Sequence, residues 1–195
     1  MADKYRMPAM ILADGMLGQM MEPVVLPEKS EKEPIAKPWA SCGHKGEREH
    51  NIVNSLYLTP NALENLVKER YERYETIKKN EQMAEEYLTE DAELILVAYG
   101  ASSRVAKGAV NKAREKGLKV GLIRPITLWP FPTDAIKRAA SHAKALLTVE
   151  MSMGQMVDDV KLACEQKLPV HFYGRTGGII PTPKEILAEI ERLMA

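Results

Sequence analysis

Four loops of this 195-residue sequence carry the side chains that could do chemistry, and each follows a short apolar run. The candidates are a serine, three arginines, a glutamate and two aromatic residues. In chain order they are Ser102, Arg104, Arg124, Trp129, Phe131, Glu150 and Arg175. Guanidinium groups bind carboxylates and phosphates through paired hydrogen bonds, so these residues indicate anion binding or an interface rather than a catalytic centre.

The first loop runs from Gly100 to Arg104, between a predicted strand and a predicted helix. Ser102 or Ser103 could cap the helix, and Arg104 beside the helix N-terminus could attract an anion. The loop contains neither GxGxxG nor GxxxxGK[ST], so a nucleotide cradle is not indicated. Helix capping is favoured over ligand binding.

The second loop, Arg124–Pro132, contains three prolines that fix an extended and rigid path. Trp129 and Phe131 on such a loop suit either an interface with another chain or the core of the same domain, and the sequence leaves both readings open. Arg124 stands at a strand end, where we expect it to pair with Glu150 at the end of the neighbouring strand.

The third and fourth loops each bring a charged residue to a strand end. Glu150 lies where charged side chains often act in parallel sheets, although a structural role is favoured. Asp158 and Asp159 follow near a helix N-terminus, which suits the helix dipole. The fourth loop, Gly174–Gly178, holds Arg175, which could bind a phosphate or carboxylate; a tight connection between elements is the favoured interpretation.

Composition excludes several classes of function. Lys plus Arg equals 27 and Asp plus Glu equals 27, a balance that argues against a nucleic-acid-binding protein. Cys42 and Cys164 are too few for a four-cysteine iron–sulfur cluster, and they fit a reducing cytoplasm. His44 beside Cys42 is too small a set for a metal site, and no Ser/His/Asp or Cys/His set can be argued from spacing. We therefore assign no catalytic residue and no metal ligand.

Membrane insertion and secretion are not indicated either. No apolar run approaches the roughly 20 residues of a membrane span. The first ten residues, MADKYRMPAM, lack the apolar region of a signal peptide.

The elements that must position these loops form one repeating pattern after Thr89. Apolar runs of strand length alternate with helical patterns, which predicts an α/β fold: a mostly parallel sheet with helices on both faces. The predicted strands are Leu94–Tyr99, Lys119–Ile123, Ala145–Val149 and Val170–Tyr173. The predicted helices are Ser102–Lys116, Thr133–Ser141, Gln155–Lys167 and Pro183–Met194, the last capped by Thr182.

The chain before this pattern divides into three segments. In residues 1–25, the apolar run Ala9–Ala13 predicts a buried strand, and since a lone strand cannot bury itself, we expect these residues to be the remnant of a preceding domain that continues upstream. Residues 26–59 are rich in Pro, Lys and Glu and indicate a linker. Residues 60–89 predict a connecting helix whose apolar stripe packs, and residues 90–195 form the α/β domain.

Several segments together resemble one family. YRMPAMILADGMLGQMMEPV is similar to the end of the pyrimidine-binding domain in alpha-type subunits of 2-oxoacid:ferredoxin oxidoreductases. The following domain of that subunit, which is itself transketolase C-terminal-domain-like, resembles four segments: ILVAYGASSRVAKGAV, GLKVGLIRPITLWPFP, LLTVEMSMGQMVDDV and FYGRTGG. NIVNSLYLTP and the long helix after it resemble the branched-chain (2-oxoisovalerate) type most, with the 2-oxoglutarate type as the alternative.

The resemblance implies oxidative decarboxylation of a 2-oxoacid to an acyl-coenzyme A, with electrons passed to ferredoxin. The complete enzyme would use thiamine diphosphate, Mg²⁺ and iron–sulfur clusters. The diphosphate and Mg²⁺ would be held by a beta-type partner subunit, beside ferredoxin-like or gamma subunits. The catalytic glutamate of the family lies in the pyrimidine-binding domain, upstream of residue 1, so we expect this chain to hold no cofactor and to serve assembly and shaping of the site.

One interpretation from a different class stays open at this point. A stand-alone interaction domain could bind a small anion at the Ser102–Arg104 loop and at Arg175. The predicted strand at residues 9–13 favours the enzyme subunit, because a free-standing module should not begin in the middle of a domain.

Overall fold

The computed structural model describes residues 1–26, 28 and 35–195. They divide into two units, one formed by Met1–Leu12 and Met20–Ile77 and the other by Ala13–Gln19 and Lys78–Ala195. The helices are α1 (Ala2–Tyr5), α2 (Gly15–Gln19), α3 (Pro60–Asn80), α4 (Gly100–Glu115), α5 (Thr133–Ala140), α6 (Met156–Ala163) and α7 (Pro183–Met194). The strands are β1 (Ala84–Tyr87), β2 (Leu94–Val97), β3 (Val120–Pro125), β4 (Ala145–Glu150) and β5 (Val170–Gly174).

The strand predicted at Ala9–Ala13 is wrong. These residues form no regular element, and Met10 and Ile11 are 81% and 96% exposed. A strand needs a neighbour for its backbone hydrogen bonds, and the described part of the first unit contains no strand that could supply one.

The long helix is shorter and more exposed than predicted. It ends at Asn80 rather than near Leu88, and Ile77 is its only buried residue. Leu63, Val67 and Tyr71 of the predicted packing stripe are exposed. Within the described structure the apolar stripe is therefore buried only at its C-terminal end, at Ile77.

The predicted linker, residues 26–59, lies partly outside the described residues, which omit 27 and 29–34. Its described remainder contains no helix or strand. Its role as a linker, and the domain limits set around it, stay predictions.

The five strands form one sheet in the order β1-β3-β2-β4-β5. The four strands from β2 to β5 run parallel, as predicted, and β1 pairs antiparallel with β3 at the edge. The strand β1 could not be recognised from the sequence, because its residues, AEEY, include two glutamates and none of them is fully buried, unlike the continuous apolar runs of the central strands. The helix predicted over residues 60–89 wrongly includes this strand.

Helices cover both faces of the sheet, which confirms the predicted architecture. On one face Leu94 and Leu96 of β2 pack with residues of α4 and α7. On the other face Ile95 and Val97 of the same strand pack with residues of α5 and α6. All four side chains are almost completely buried, and each such burial contributes about 1.5–3 kcal/mol to folding. The helices on both faces hold the sheet in place, and the sheet in turn positions the loops that follow its strands.

The start of α7 follows its sequence signature. The Thr182 hydroxyl oxygen accepts a hydrogen bond from the Glu185 amide at 3.2 Å, and a Glu185 carboxylate oxygen accepts one from the Thr182 amide at 2.7 Å. This reciprocal pair is a capping box with Pro183 in the first turn, so the predicted N-cap is confirmed.

Candidate functional site

The carboxyl ends of the four parallel strands lie at one edge of the sheet, and the four candidate loops leave from that edge. Each loop connects a strand to the helix that follows it. Because β2 lies between β3 and β4, the β3 and β4 loops are separated by one strand. The loop side chains therefore share an edge but are not all neighbours.

Glu150, the last residue of β4, is almost fully buried, at 4% exposure. Its carboxylate accepts hydrogen bonds from the backbone amides of Val157 at 2.9 Å, Met156 at 3.1 Å and Gln155 at 3.1 Å. The Ser152 hydroxyl donates a further bond at 3.0 Å. The carboxylate thus satisfies the free amides at the start of α6, where the helix dipole favours negative charge.

The Glu150 charge also acts on its neighbours. Burial, and then the Glu150 carboxylate, raise the pKa of the Tyr99 hydroxyl at the end of the adjacent β2 loop. Burial together with the charges of Asp158 and Glu150 raises the pKa of Asp159. In both cases burial of the titrating group contributes most, and the negative charge of Glu150 adds to it.

Arg124 does not pair with Glu150, contrary to the prediction. Its guanidinium donates from Nε and Nη2 to one oxygen of Glu85, at 2.9 and 2.8 Å. Glu85 lies on β1, directly across from Arg124 in the antiparallel register, whereas Glu150 ends a strand two positions away in the sheet. The wrong partner follows from the missed edge strand.

Arg175, which follows β5, also makes an intramolecular pair. Its Nη1 lies 2.9 Å from a carboxylate oxygen of Glu185, the residue that completes the capping box of α7. The Arg175 amide donates to the Glu150 carbonyl at 3.1 Å. The fourth loop is therefore tied to the start of α7 and to the end of β4.

The two serines of the first loop do not cap α4, so that prediction is wrong. The helix begins at Gly100 with Tyr99 as its N-cap residue, and no side chain caps it. Ser102 and Ser103 lie buried in the first turn, where the Ser103 hydroxyl donates to the Gly100 carbonyl at 2.7 Å. Gly100 has a φ of 56°, which a glycine adopts without strain, and this allows the helix to start earlier than predicted.

The two aromatic residues of the second loop differ in their surroundings. Trp129 is 51% exposed, whereas Phe131 is partly buried against the hydrophobic cluster beneath α5 and α6. Each of the two residues therefore fits a different one of the two alternatives that the sequence leaves open. Phe131 packs in the core, and Trp129 presents a large apolar surface at the loop.

A cavity of about 570 Å³ lies beside this edge, within the second unit. Three residues that the sequence reading did not select line it with Arg104 and Arg124: Glu85, Lys107 and Asn111. One signal in the sequence could have found two of them, since Lys107 and Asn111 follow Arg104 at helical spacing on one face of α4. Glu85 could not be found without recognising β1.

Within the described residues, no group of three His, Cys, Asp or Glu side chains could hold a metal ion. Cys42 is exposed and Cys164 is buried, and neither forms a disulfide. In the same part of the chain, no helix is both long enough and apolar enough to cross a membrane.

Sequence comparison identifies relatives over almost the whole chain. Residues 92–186 match the family described as pyruvate:ferredoxin oxidoreductase core domain II. The chain is 45% identical over 193 residues to ketoisovalerate oxidoreductase subunit VorB of Methanothermobacter marburgensis, covering 99% of this chain and 54% of the relative. It is 32% identical over 209 residues to 2-oxoglutarate synthase subunit KorA of Methanocaldococcus jannaschii, covering 95% of this chain and 56% of that protein.

The chain thus spans about half the length of the curated relatives it matches. Among solved structures, a 2-oxoglutarate:ferredoxin oxidoreductase from Magnetococcus marinus superposes with a TM-score of 0.59, over 71% of this chain and 24% of that one. At 18% identity this likeness shows the fold. The predicted family resemblance is confirmed by these matches.

Proposed function

Residues 92–186 of this chain belong to the pyruvate:ferredoxin oxidoreductase core domain II family, and on that basis we propose that the chain is the C-terminal part of an alpha-type subunit of a 2-oxoisovalerate:ferredoxin oxidoreductase. The observation that carries the proposal is the 45% identity, over 99% of the chain, to a ketoisovalerate oxidoreductase subunit. The complete enzyme would oxidatively decarboxylate a branched-chain 2-oxoacid to its acyl-coenzyme A and pass the electrons to ferredoxin.

Within that enzyme, the part proposed for this chain is assembly and shaping of the site. The charged side chains at the carboxyl edge support it, because they are engaged in contacts that hold the fold. Glu150 accepts from the amides of α6, Arg124 pairs with Glu85, and Arg175 pairs with a residue of α7. A general acid or base must reach a proton on the substrate. Carboxylate and guanidinium groups that are bound to other parts of the chain in this way suit a structural role better than acid or base catalysis.

Thiamine diphosphate, Mg²⁺ and the iron–sulfur clusters would be held outside this chain, by the pyrimidine-binding domain, a beta-type subunit and ferredoxin-like or gamma subunits. Thiamine diphosphate would supply the carbanion chemistry that decarboxylation needs. The free thiols of Cys42 and Cys164 support a cytoplasmic location for the enzyme.

The contact proposed for this chain with another subunit or domain of the enzyme is the Arg124–Pro132 loop. Trp129 is half exposed on a segment stiffened by three prolines, so little conformational entropy is lost when its ring becomes buried. Aromatic residues of this kind contribute strongly to interfaces.

A 2-oxoglutarate:ferredoxin oxidoreductase is the second candidate. The match to a 2-oxoglutarate synthase subunit supports it, at 32% identity over 95% of the chain. The lower identity places it behind the branched-chain enzyme.

Calorimetric titration of thiamine diphosphate with Mg²⁺ tests the division of labour. We expect no binding to the isolated 195-residue chain and micromolar binding to the complete enzyme that contains it. Iron analysis after anaerobic reconstitution is the matched measurement, with no stoichiometric iron expected on the isolated chain. Micromolar binding of the cofactor, or stoichiometric iron, on the isolated chain would contradict the proposal.

A further inference from the structure

The first unit, Met1–Leu12 with Met20–Ile77, has almost no core of its own. Among the described residues that precede Ile77, none is buried. The other buried hydrophobic residues of the described chain all lie at or after Ala92, in the second unit. Apolar burial is the main favourable contribution to folding, and the first unit therefore lacks it within this chain.

Large apolar side chains are nevertheless concentrated near the end of the first unit. We call residues 52–71 the apolar segment. Its exposed large hydrophobic residues are Ile52, Val53, Leu56, Tyr57, Leu58, Leu63, Val67 and Tyr71. Ile52 and Leu58 are 85% and 83% exposed. Soluble proteins rarely leave so many large apolar residues of one segment in water, so the segment indicates a surface that a partner covers.

Within α3 the exposed apolar residues lie on one face. Leu63, Val67 and Tyr71 follow one another at intervals of four, which places them in one row along the helix. Glu69 lies midway between Val67 and Tyr71 in the sequence and therefore points to the opposite side. Its side chain is 64% exposed and pairs with Arg73 at 2.9 Å, as is typical of a face in water. The helix thus has one face suited to water and one suited to a partner.

Polar side chains shape the stretch that precedes α3. Arg48 and Asn51 both donate to the Ala40 carbonyl oxygen, from Nη2 at 3.3 Å and from Nδ2 at 3.1 Å. The Asn54 side chain accepts from the Leu56 amide and donates to the Leu56 carbonyl oxygen, each at 2.9 Å. These bonds preset the backbone beside the exposed apolar side chains, so less conformational entropy is lost when the segment docks.

The character of this surface favours a permanent partner on the same polypeptide. Obligate interfaces are more apolar than transient ones. An apolar surface of this kind promotes aggregation whenever its partner is absent. A partner on the same polypeptide is always present, at a high effective concentration. The relatives have the length for such a partner, since this chain covers only 54% of ketoisovalerate oxidoreductase subunit VorB.

We propose that the apolar segment docks on the part of the same subunit that lies outside these 195 residues, and that the Leu63–Tyr71 face of α3 and Tyr57 are buried in the contact. This inference rests on the proposed function, because it requires a subunit of about the length of those relatives. It concerns a different surface from the Arg124–Pro132 loop, which belongs to the second unit.

Photo-cross-linking in the complete enzyme identifies what covers the segment. The photoreactive amino acid p-benzoylphenylalanine replaces Tyr57, Tyr71 or Glu69 in three separate variants, and Glu69 is the matched control on the opposite face of α3. We expect the variants at Tyr57 and Tyr71 to cross-link within the subunit, to peptides outside these 195 residues, as identified by mass spectrometry. The variant at Glu69 should form no such product.

The other results of this experiment count against the proposal. Cross-links from Tyr57 and Tyr71 to another subunit, to a second copy of this chain or to peptides within the 195 residues would each overturn it. The absence of any cross-link from both positions would overturn it as well.

Hydrogen exchange of two matched variants measures the same contact without a cross-linker. Val67→Gln and Glu69→Gln introduce the same side chain on the two faces of α3. In the complete enzyme, Val67→Gln should speed exchange of the α3 amides by about fivefold or more, because it places a polar group in the contact. Glu69→Gln should change exchange by less than about twofold, and in the isolated chain both variants should, since both residues are exposed there. Equal effects of the two variants in the complete enzyme would overturn the proposal.

Ferredoxin reduction by the same enzyme preparation separates this proposal from the proposed function. Active enzyme without the expected cross-links would overturn the docking surface alone. Enzyme that cross-links as expected but reduces no ferredoxin would contradict the reaction and support the docking surface. A natural subunit with no residues beyond these 195 would overturn both.

Discussion

The Arg124 guanidinium donates two hydrogen bonds to the same carboxylate oxygen of Glu85, from Nε at 2.9 Å and from Nη2 at 2.8 Å. The two residues face each other across the only antiparallel pair of the sheet. Both side chains are exposed by about 40%, so the pair alone stabilises the fold little. The pair instead joins the edge strand β1 to β3, and it brings one negative and one positive charge to the lining of the cavity.

The pKa of Glu85 shows whether this pair forms in solution. Hydrogen bonds from Arg124 and then from Lys107 lower that pKa from its ordinary value of 4.5. Arg124→Gln should raise the pKa of Glu85 back toward the ordinary value, as followed by NMR titration of its carboxyl carbon. Lys112→Gln, on the same helix as Lys107, should leave it unchanged. A Glu85 pKa that does not rise in Arg124→Gln would mean that the pair does not form in solution.

The sign of the stability effect follows from the lowered pKa. A group whose pKa is lower in the folded than in the unfolded chain contributes stability that is fully present above the unfolded value. That stability is lost as pH falls through the folded value. Urea unfolding below the ordinary pKa of 4.5 should therefore show a shallower pH dependence in Glu85→Gln than in the unaltered chain. Identical profiles would contradict this linkage.

The buried carboxylate at the end of β4 should matter to folding far more than exposed acids nearby. Glu150→Gln should lower the free energy of unfolding by about 2 kcal/mol, because an amide cannot accept from all the α6 amides and it adds donors that lack partners. Asp158→Asn makes the same change from carboxylate to amide at an exposed residue in the first turn of α6. It should lower the free energy of unfolding by about 0.5 kcal/mol. Urea denaturation monitored by circular dichroism compares them, and equal losses would show that Glu150 does not cap α6.

The two aromatic residues of the proline-rich loop should separate folding from assembly. Trp129→Ala should change the free energy of unfolding of the isolated chain by less than about 1 kcal/mol, since the ring is half exposed. In the complete enzyme it should weaken association with the neighbouring subunit, measured by sedimentation. Phe131→Ala is the comparison and should cost the isolated chain about 2 kcal/mol, because its ring packs on the core. Strong destabilisation of the isolated chain by Trp129→Ala, with assembly intact, would contradict the interface role.

Limited digestion with a glutamyl endopeptidase, which cleaves after Glu, should report the boundary of the α/β unit. The sequence predicts cleavage between residues 27 and 38 and a resistant C-terminal piece; much of that stretch lies outside the described residues. The structure adds that this piece should keep β1, since its four residues pair with β3. Mass spectrometry should find its N-terminus no later than Ala84. A stable piece that begins beyond Tyr87 would show that the edge strand does not belong to the folded unit.

The central strands and their helices could be predicted because the features that specify them involve residues close together in the sequence. Continuous apolar runs such as Leu94–Val97 must be buried on both sides, and they alternated with clear helical periods. Thr182 and Pro183 predicted the start of the last helix, because threonine is a favoured N-cap residue and proline a favoured first-turn residue. Both features depend on neighbours in sequence and therefore appear in the sequence itself.

The edge strand and the contacts it makes could not be predicted from the sequence. Two of the four residues of β1 are glutamates, and pairing with β3, in which Ala84 lies opposite Pro125 and Tyr87 opposite Leu122, makes them a strand. The predicted pairing of Arg124 with Glu150 is wrong for this reason, since its partner Glu85 lies on β1. Ser102 and Ser103 were expected to cap a helix that begins two residues earlier, because the positive φ of Gly100 depends on the local fold rather than on residue type.

The substrate assay of the complete enzyme that carries these residues tests the central claim most directly. Coenzyme A-dependent reduction of ferredoxin should be measured anaerobically with 2-oxoisovalerate and with 2-oxoglutarate. We expect kcat/KM for 2-oxoisovalerate to exceed that for 2-oxoglutarate by about tenfold or more, a difference of about 1.4 kcal/mol in transition-state binding. A preference for 2-oxoglutarate would contradict the branched-chain assignment, and the absence of ferredoxin reduction with any 2-oxoacid would contradict the enzyme assignment itself.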